Sequence, residues 1–114
     1  MTYEAFDVVV VPFPFTDRST SKRRPALVLS DAGAFNRPVG QSVLAMITSA
    51  RNSDWPLDVE IEELDFAGLP SASVVRMKLF TLDNKLVIRK AGALAESDRK
   101  SVLISLRQLL NLKT

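Results

Sequence analysis

The sequence predicts a mainly β fold, a small barrel-like sheet with one helix packed on it at the C-terminal end. Three observations predict it. Short apolar or alternating runs follow one another along the chain, each ended by proline, glycine or a polar cluster. Only the final segment carries a 3.6-residue apolar repeat. No linker, internal repeat or low-complexity stretch interrupts the order, so residues 1–114 read as a single domain.

Each element has its own argument. Phe6 to Phe13 is β-branched and aromatic, and the prolines at Pro12 and Pro14 cannot donate to a ladder, so the strand must end or lie at an edge there. A polar loop leads to Lys22-Arg23-Arg24-Pro25, which opens into Ala26-Leu27-Val28-Leu29, a run short and apolar enough to be buried on both faces. Asp31 to Asn36 suits a single helical turn before Pro38 and Gly40. Ser42 to Thr48 reads as a third strand. Leu57 to Glu62 alternates, with Leu57, Val59 and Ile61 inward and the acids outward. Gly68-Leu69-Pro70 forms a turn, Ser73 to Leu82 a long strand, and Leu86 to Arg89 a short one. From Ser97 as N-cap, with Asp98 in the first turn, the stripe Val102, Leu103, Leu106, Leu109 and Leu110 predicts the helix.

Composition narrows the function. With 46% hydrophobic residues the chain can bury a core without staples. It has no cysteine, which removes disulfides and thiolate metal sites, and no histidine, which removes imidazole ligands, a Ser-His-Asp triad and paired-imidazole RNA cleavage. The first residues carry an acid, Glu4, rather than a basic stretch, and the longest apolar run is too short to span a bilayer. A cytoplasmic protein with no membrane segment is expected.

Charge is distributed unevenly although the net value is only +2. Arg18, Lys22, Arg23 and Arg24 cluster in one loop, whereas Asp54, Asp58, Glu60, Glu62, Glu63 and Asp65 share a later stretch with no intervening base. The acidic stretch reads as a solvated face. Arg24, at a loop–strand junction, is either an ordinary solvated side chain or a preset fork for a phosphate. Trp55 beside Pro56 has two readings as well, a partner contact and local packing.

In order along the chain stand Asp7-Val8-Val9, Arg24-Pro25-Ala26-Leu27-Val28-Leu29-Ser30, Ala34-Phe35-Asn36-Arg37, Ile47-Thr48-Ser49, Ser73-Val74-Val75-Arg76 and Thr81-Leu82-Asp83. Together, and from about residue 5 to the C-terminal helix, they resemble the MazF/PemK family of toxin endoribonucleases from type II toxin–antitoxin systems. The resemblance implies an SH3-like small barrel of the CcdB/PemK-like fold and a homodimer. It also implies sequence-specific cleavage of single-stranded RNA without metal or other cofactor, to a 2′,3′-cyclic phosphate and a 5′-OH, and inhibition by a cognate antitoxin. The family's catalytic arginine and threonine fall on Arg24 and Thr48. Around them Phe15, Asp17, Lys22, Arg23, Ser49, Arg76 and Lys78 are the expected substrate-binding residues, with Phe15 as a stacking residue and Asp17 also a candidate base. The chain departs from the PemK pattern in lacking a first-loop histidine and in carrying Lys78 where that pattern has an acid.

Two other functional classes stay open on the residues alone. One is a non-catalytic CcdB-like toxin acting on DNA gyrase, although the ending Leu109-Leu110-Asn111-Leu112-Lys113-Thr114 lacks the terminal motif of that group. The other is a barrel that only binds nucleic acid or a peptide.

Overall fold

The computed structural model describes residues 2–13, 22–52 and 54–112. Six antiparallel strands form one curled sheet in the order β4-β5-β3-β2-β1-β6. They are β1 (Asp7–Phe13), β2 (Lys22–Val28), β3 (Gln41–Ser49), β4 (Val59–Glu60), β5 (Ser73–Asp83) and β6 (Arg89–Ala93). Helical turns Ala32–Asn36 and α1 (Arg37–Val39) link β2 to β3, α2 (Leu64–Ala67) precedes β5, and α3 (Glu96–Leu109) ends the fold. This is the mainly β half-barrel with a C-terminal helix that the sequence predicts.

Both faces of the central strands are covered, which is why β1 to β3 read as unbroken apolar runs. Val8, Leu27, Ala45, Ile47, Val75 and Met77 point into one core, which α3 covers through Val102 and α2 through Ala67. Val9, Val11, Ala26, Val28, Leu44 and Leu82 point the other way and pack with Tyr3 and Val87. Pro12 lies in the last part of β1, where β6 no longer pairs: the β1–β6 ladder stops at Val10, whereas β2 follows β1 to Phe13. The proline therefore sits where the strand has a single ladder partner, as its missing N–H requires.

Two close backbone approaches join the sheet's edges. A Cβ on Gly92 would meet the Ala67 carbonyl carbon and the Phe66 oxygen, each at 2.6 Å, and one on Gly68 would meet the Ala91 oxygen at 2.1 Å. Gly68 also ends α2 in the left-handed region, at φ 73°. Glycine at both positions lets α2 lie directly on β6, so that α2 bridges from the β4 side to the opposite edge.

Asn36 ties the β2–β3 connection together. Fully buried, it donates through Nδ2 to the carbonyls of Tyr3 (2.8 Å) and Ser30 (3.0 Å), and its Oδ1 accepts from the Ser30 hydroxyl. Ser30 Oγ in turn accepts from the Val43 amide at 2.8 Å. Within the Ala34-Phe35-Asn36-Arg37 motif, Asn36 therefore serves the fold.

Four sequence expectations need correction. The alternating segment from Leu57 is a strand only at Val59–Glu60, because Leu57 takes φ 68° and turns the chain before the ladder begins. The expected strand Leu86 to Arg89 is displaced: Asn84–Leu86 form a 3₁₀ turn, Val87 packs into the second core, and the strand starts at Arg89. Ser97 is not the N-cap of α3; Ala95 occupies that position, with no side-chain cap. The expected stripe is inward only in part: Val102 is buried and Leu106 packs on the core beside the buried Asp98 and Ser105, whereas Leu103, Leu109 and Leu110 are exposed. The cause lies at Asp98, whose carboxylate accepts hydrogen bonds from the Glu62 and Glu63 amides at 3.1 and 3.0 Å. That anchor fixes the rotation of α3 and turns most of the leucines outward. Among the described residues no helix is long and apolar enough to cross a membrane.

Candidate active site

The register of the sheet brings Arg24 and Thr48 together. The β2–β3 ladder pairs Ala26 with Met46, Leu27 with Ala45 and Val28 with Leu44. Continued toward the strand ends, the same register sets Arg24 opposite Thr48. Alternation puts both on the sheet face that carries Ala26 and Leu44. Both line a cleft of about 190 Å³ with Pro25, Ser49, Leu69, Pro70, Ser71 and Ser73. Arg24 is exposed and its guanidinium carbon stands 5.7 Å from the centre of the Phe13 ring, a contact that helps to orient the fork. Thr48 is half-buried at the end of β3, and its hydroxyl accepts from Asn52 Nδ2, so its proton is directed elsewhere.

A second cleft of about 250 Å³ shares Arg24, Pro25, Leu69 and Pro70 with the first and adds Arg23 and Arg89. The described lining of the two clefts thus holds three arginines and four hydroxyl-bearing residues, with no carboxylate. Such a lining favours an anion, and each guanidinium presents a planar set of donors that stays charged at any physiological pH. Leu69 and Pro70, which form the wall common to both clefts, are set by α2 and its contact with β6.

The expected residues that the structure describes fall into three groups. Arg24, Thr48 and Ser49 meet in the smaller cleft, and Arg23 joins Arg24 in the larger. Lys22 is exposed at the start of β2, opposite Phe13. Arg76 and Lys78 stand apart from the clefts, beside Trp55: their charged ends lie 5.9 and 4.4 Å from the centre of the indole ring. Arg76 is also engaged by Asp58, through Nε to Oδ1 at 3.2 Å and Nη2 to Oδ2 at 2.8 Å. The hydrogen bond to Asp58 is the main cause that holds the Arg76 guanidinium above its ordinary pKa, with the charges of Asp58 and Asp54 adding to it against the effect of burial. Asp58 is therefore a paired residue, not part of a purely solvated acidic face. Phe15 and Asp17 lie outside the described residues.

Arg89 was not among the sequence candidates. It belongs to Arg89-Lys90-Ala91-Gly92, which carries no distinctive pattern, and only the pairing of Val10 with Arg89 across the β1–β6 ladder carries it to the cleft.

Comparison with known proteins agrees with this architecture. A family model described as PemK-like, MazF-like toxin of type II toxin-antitoxin system matches residues 4–110. Among solved structures, MazF in a MazE-MazF complex from Deinococcus radiodurans superimposes with a TM-score of 0.76 at 24% identity, covering 99% of each chain. The Mycobacterium tuberculosis toxin MazF-mt6 gives 0.72 at 20% identity, over 95% of this chain and 99% of that one. An endoribonuclease in complex with its cognate antitoxin, from a mycobacterial species, gives 0.77 at 18% identity over 98% of each chain. At these identities the structural likenesses show the fold. Sequence comparison with curated proteins returns no significant match. The family match spans nearly the whole chain, and with the register that sets Arg24 beside Thr48 it leads to one conclusion: this chain belongs to the PemK-like, MazF-like toxins of type II toxin–antitoxin systems.

Proposed function

We propose that this chain is a metal-independent endoribonuclease that cleaves single-stranded RNA by directing the substrate's own 2′-OH onto the adjacent phosphorus. The observation that carries the reading is the shared cleft of Arg24 and Thr48 at the end of the β2–β3 ladder. Attack by the 2′-oxygen forms a new P–O bond and builds negative charge on the equatorial phosphorane oxygens. Breaking the P–O5′ bond then leaves a 2′,3′-cyclic phosphate and a 5′-OH. A fixed guanidinium aimed at those oxygens binds the transition state more strongly than the ground state, where the same charge is smaller and differently placed. The Thr48 hydroxyl, which accepts from Asn52 and keeps its own proton free to donate, bonds a phosphate oxygen and helps to hold the phosphate in line. Arg23, Lys22 and Arg89 supply attraction to flanking phosphates, which is salt-dependent and indifferent to sequence.

The same cationic clefts suit an acidic antitoxin segment that competes with RNA, and the groove is completed across a homodimer. These partners follow from the family together with the charge of the lining.

The test is incubation with a long single-stranded RNA in excess EDTA, with sequencing of the ends. Discrete cuts ending in 2′,3′-cyclic phosphate are expected from the wild type. Arg24→Ala should leave none, and Arg24→Lys should restore little, because a point charge lacks the fork. Replacing the 2′-OH by hydrogen at a cut linkage should protect that linkage, and cleavage there would overturn the mechanism.

A further inference from the structure

Trp55 is the chain's only tryptophan, and 41% of its surface is exposed. A tryptophan kept only for packing hides most of its ring, because its apolar area is the largest of any side chain. Here the indole sits beneath the ends of Lys78 and Arg76, yet 41% of the residue stays open to solvent. The Asp58 amide bonds back to the Trp55 carbonyl at 3.2 Å, closing a turn around Pro56, and the Arg76 guanidinium is locked by two bonds to Asp58. Lys78, whose Nζ lies 4.4 Å from the ring centre, forms no ion pair among the described residues. One cation beside the indole is thus paired with a carboxylate, and the other has no such partner among the described residues.

The position of this group on the sheet gives it a meaning. The β3–β5 ladder pairs Thr48 with Val74 and Met46 with Arg76. With the β2–β3 register continued, the sheet face that carries Arg24 and Thr48 has one row of Arg24, Thr48 and Val74 and a neighbouring row of Ala26, Met46 and Arg76. The second row lies roughly 7 Å along the strands from the first, two residues at about 3.4 Å each. A strand of nucleic acid whose phosphate sits at Arg24 and Thr48 can reach the indole with a nearby base.

From this we infer that Trp55 is a base-stacking platform for the RNA strand, and that Lys78 holds a phosphate beside the stacked base. A ligand of this kind must bring a flat π face and a negative charge at short spacing, and a single-stranded nucleic acid brings both. Stacking tolerates any base, so the platform fixes where the strand lies. The inference rests on the nuclease reading only in taking RNA as the ligand.

The probe is a pool of random-sequence single-stranded RNA decamers with fluorine at every 2′ position, which has no nucleophile and so reports binding without cleavage. Indole fluorescence reads this one residue. Saturable quenching is expected, and with a fluorescein-labelled pool Trp55→Ala should weaken binding about tenfold to a hundredfold. Trp55→Phe, which keeps a flat ring and guards against misfolding of the alanine variant, should stay within about threefold. On cleavable RNA the alanine deficit should fall in KM, not in kcat. Absence of quenching, or Trp55→Ala binding the pool as wild type does while Arg24→Ala binds it weakly, overturns the platform. So does quenching by an acidic peptide and not by the pool. Failure of the nuclease reading shows elsewhere, as intact RNA after incubation, whatever Trp55 does to binding.

Discussion

Alanine at Asp98 and alanine at Ser97 should have very different costs, and the pair tests what anchors α3. Helix-capping rules select Ser97, for which replacement by alanine costs roughly 1 kcal/mol. The structure puts that residue inside α3 and gives the anchoring to Asp98, buried and accepting from the Glu62 and Glu63 amides at 3.1 and 3.0 Å. Hydrogen bonds to a charged acceptor contribute about 1.5–3 kcal/mol each, and a buried amide left unpaired costs about as much. Glu62 and Glu63 lie on an exposed segment, where water recovers part of each loss, so the lower end applies. Two bonds then put Asp98→Ala at roughly 2–3 kcal/mol, a large part of the stability of a domain this size. At about 4 °C per kcal/mol, the melting temperature should fall by roughly 8–12 °C. Asp98→Asn keeps one acceptor and should lose about half of that. Urea unfolding followed by circular dichroism measures both, with Ser97→Ala as the comparison expected within about 0.5 kcal/mol of wild type. If Ser97→Ala proves the costly change and Asp98→Ala the neutral one, the orientation assigned to α3 is wrong.

Two further expectations concern the cleft. Gly92→Ala would drive a methyl to 2.6 Å from the Ala67 and Phe66 backbone, so α2 must move off β6; a loss of about 1–3 kcal/mol is expected in thermal unfolding, with RNA cleavage falling further than stability accounts for because Leu69 and Pro70 shift with α2. Thr48→Ser keeps the donor and should retain most cleavage, whereas Thr48→Val should lower kcat by roughly 10²–10³-fold in single-turnover assays, and equal activity of the two would remove the hydroxyl from the mechanism.

The legible parts of this sequence are those where local chemistry and tertiary environment agree. Val8, Val9, Val11 and Ala26 to Val28 are buried on one face or the other of the sheet, so their apolar character needed no partner to be recognised. The errors arise where an element's environment is supplied by distant chain. Arg89–Ala93 is a strand without a strand signature, because α2 approaches so closely that only small residues fit opposite it. The inward face of α3 includes Asp98 and Ser105, since the partners there are backbone amides of a loop more than thirty residues away in sequence and not only a greasy core. The pairing of Arg24 with Thr48 was reachable through family resemblance, but their proximity was not. That proximity depends on a strand register, and a slip of one residue would have sent Thr48 to the opposite face. Trp55 shows the same limit: its neighbours Arg76 and Lys78 come from β5, some twenty residues on.

Proton transfer is where this site's chemistry becomes most exposed to test. The chain has no histidine, and arginine does not give up its proton in the working range. Nor does the described cleft lining offer a carboxylate. Among the described residues the buried or partly buried acids have other duties: Asp58 holds Arg76, Asp98 accepts from the Glu62 and Glu63 amides, and Asp7 pairs with Lys90 at 3.2 Å while accepting from the Glu4 amide at 2.9 Å. In the reaction we propose, removal of the 2′-OH proton is left to hydroxide or to Asp17. An imidazole base would bend the profile near its ordinary pKa of about 6.5. Here log kcat on a saturating RNA should show no bend between about pH 6 and 7. It should climb across the range if hydroxide is the base, or lie flat above the carboxylate region near 4 if Asp17 is. Asp17→Asn separates the two, converting a flat profile into a climbing one or leaving a climbing one unchanged. A bell centred between about pH 6 and 7 would require a titrating group that neither clamp residue can supply, and the assignment of Arg24 as an electrostatic clamp without a partner base would have to be withdrawn.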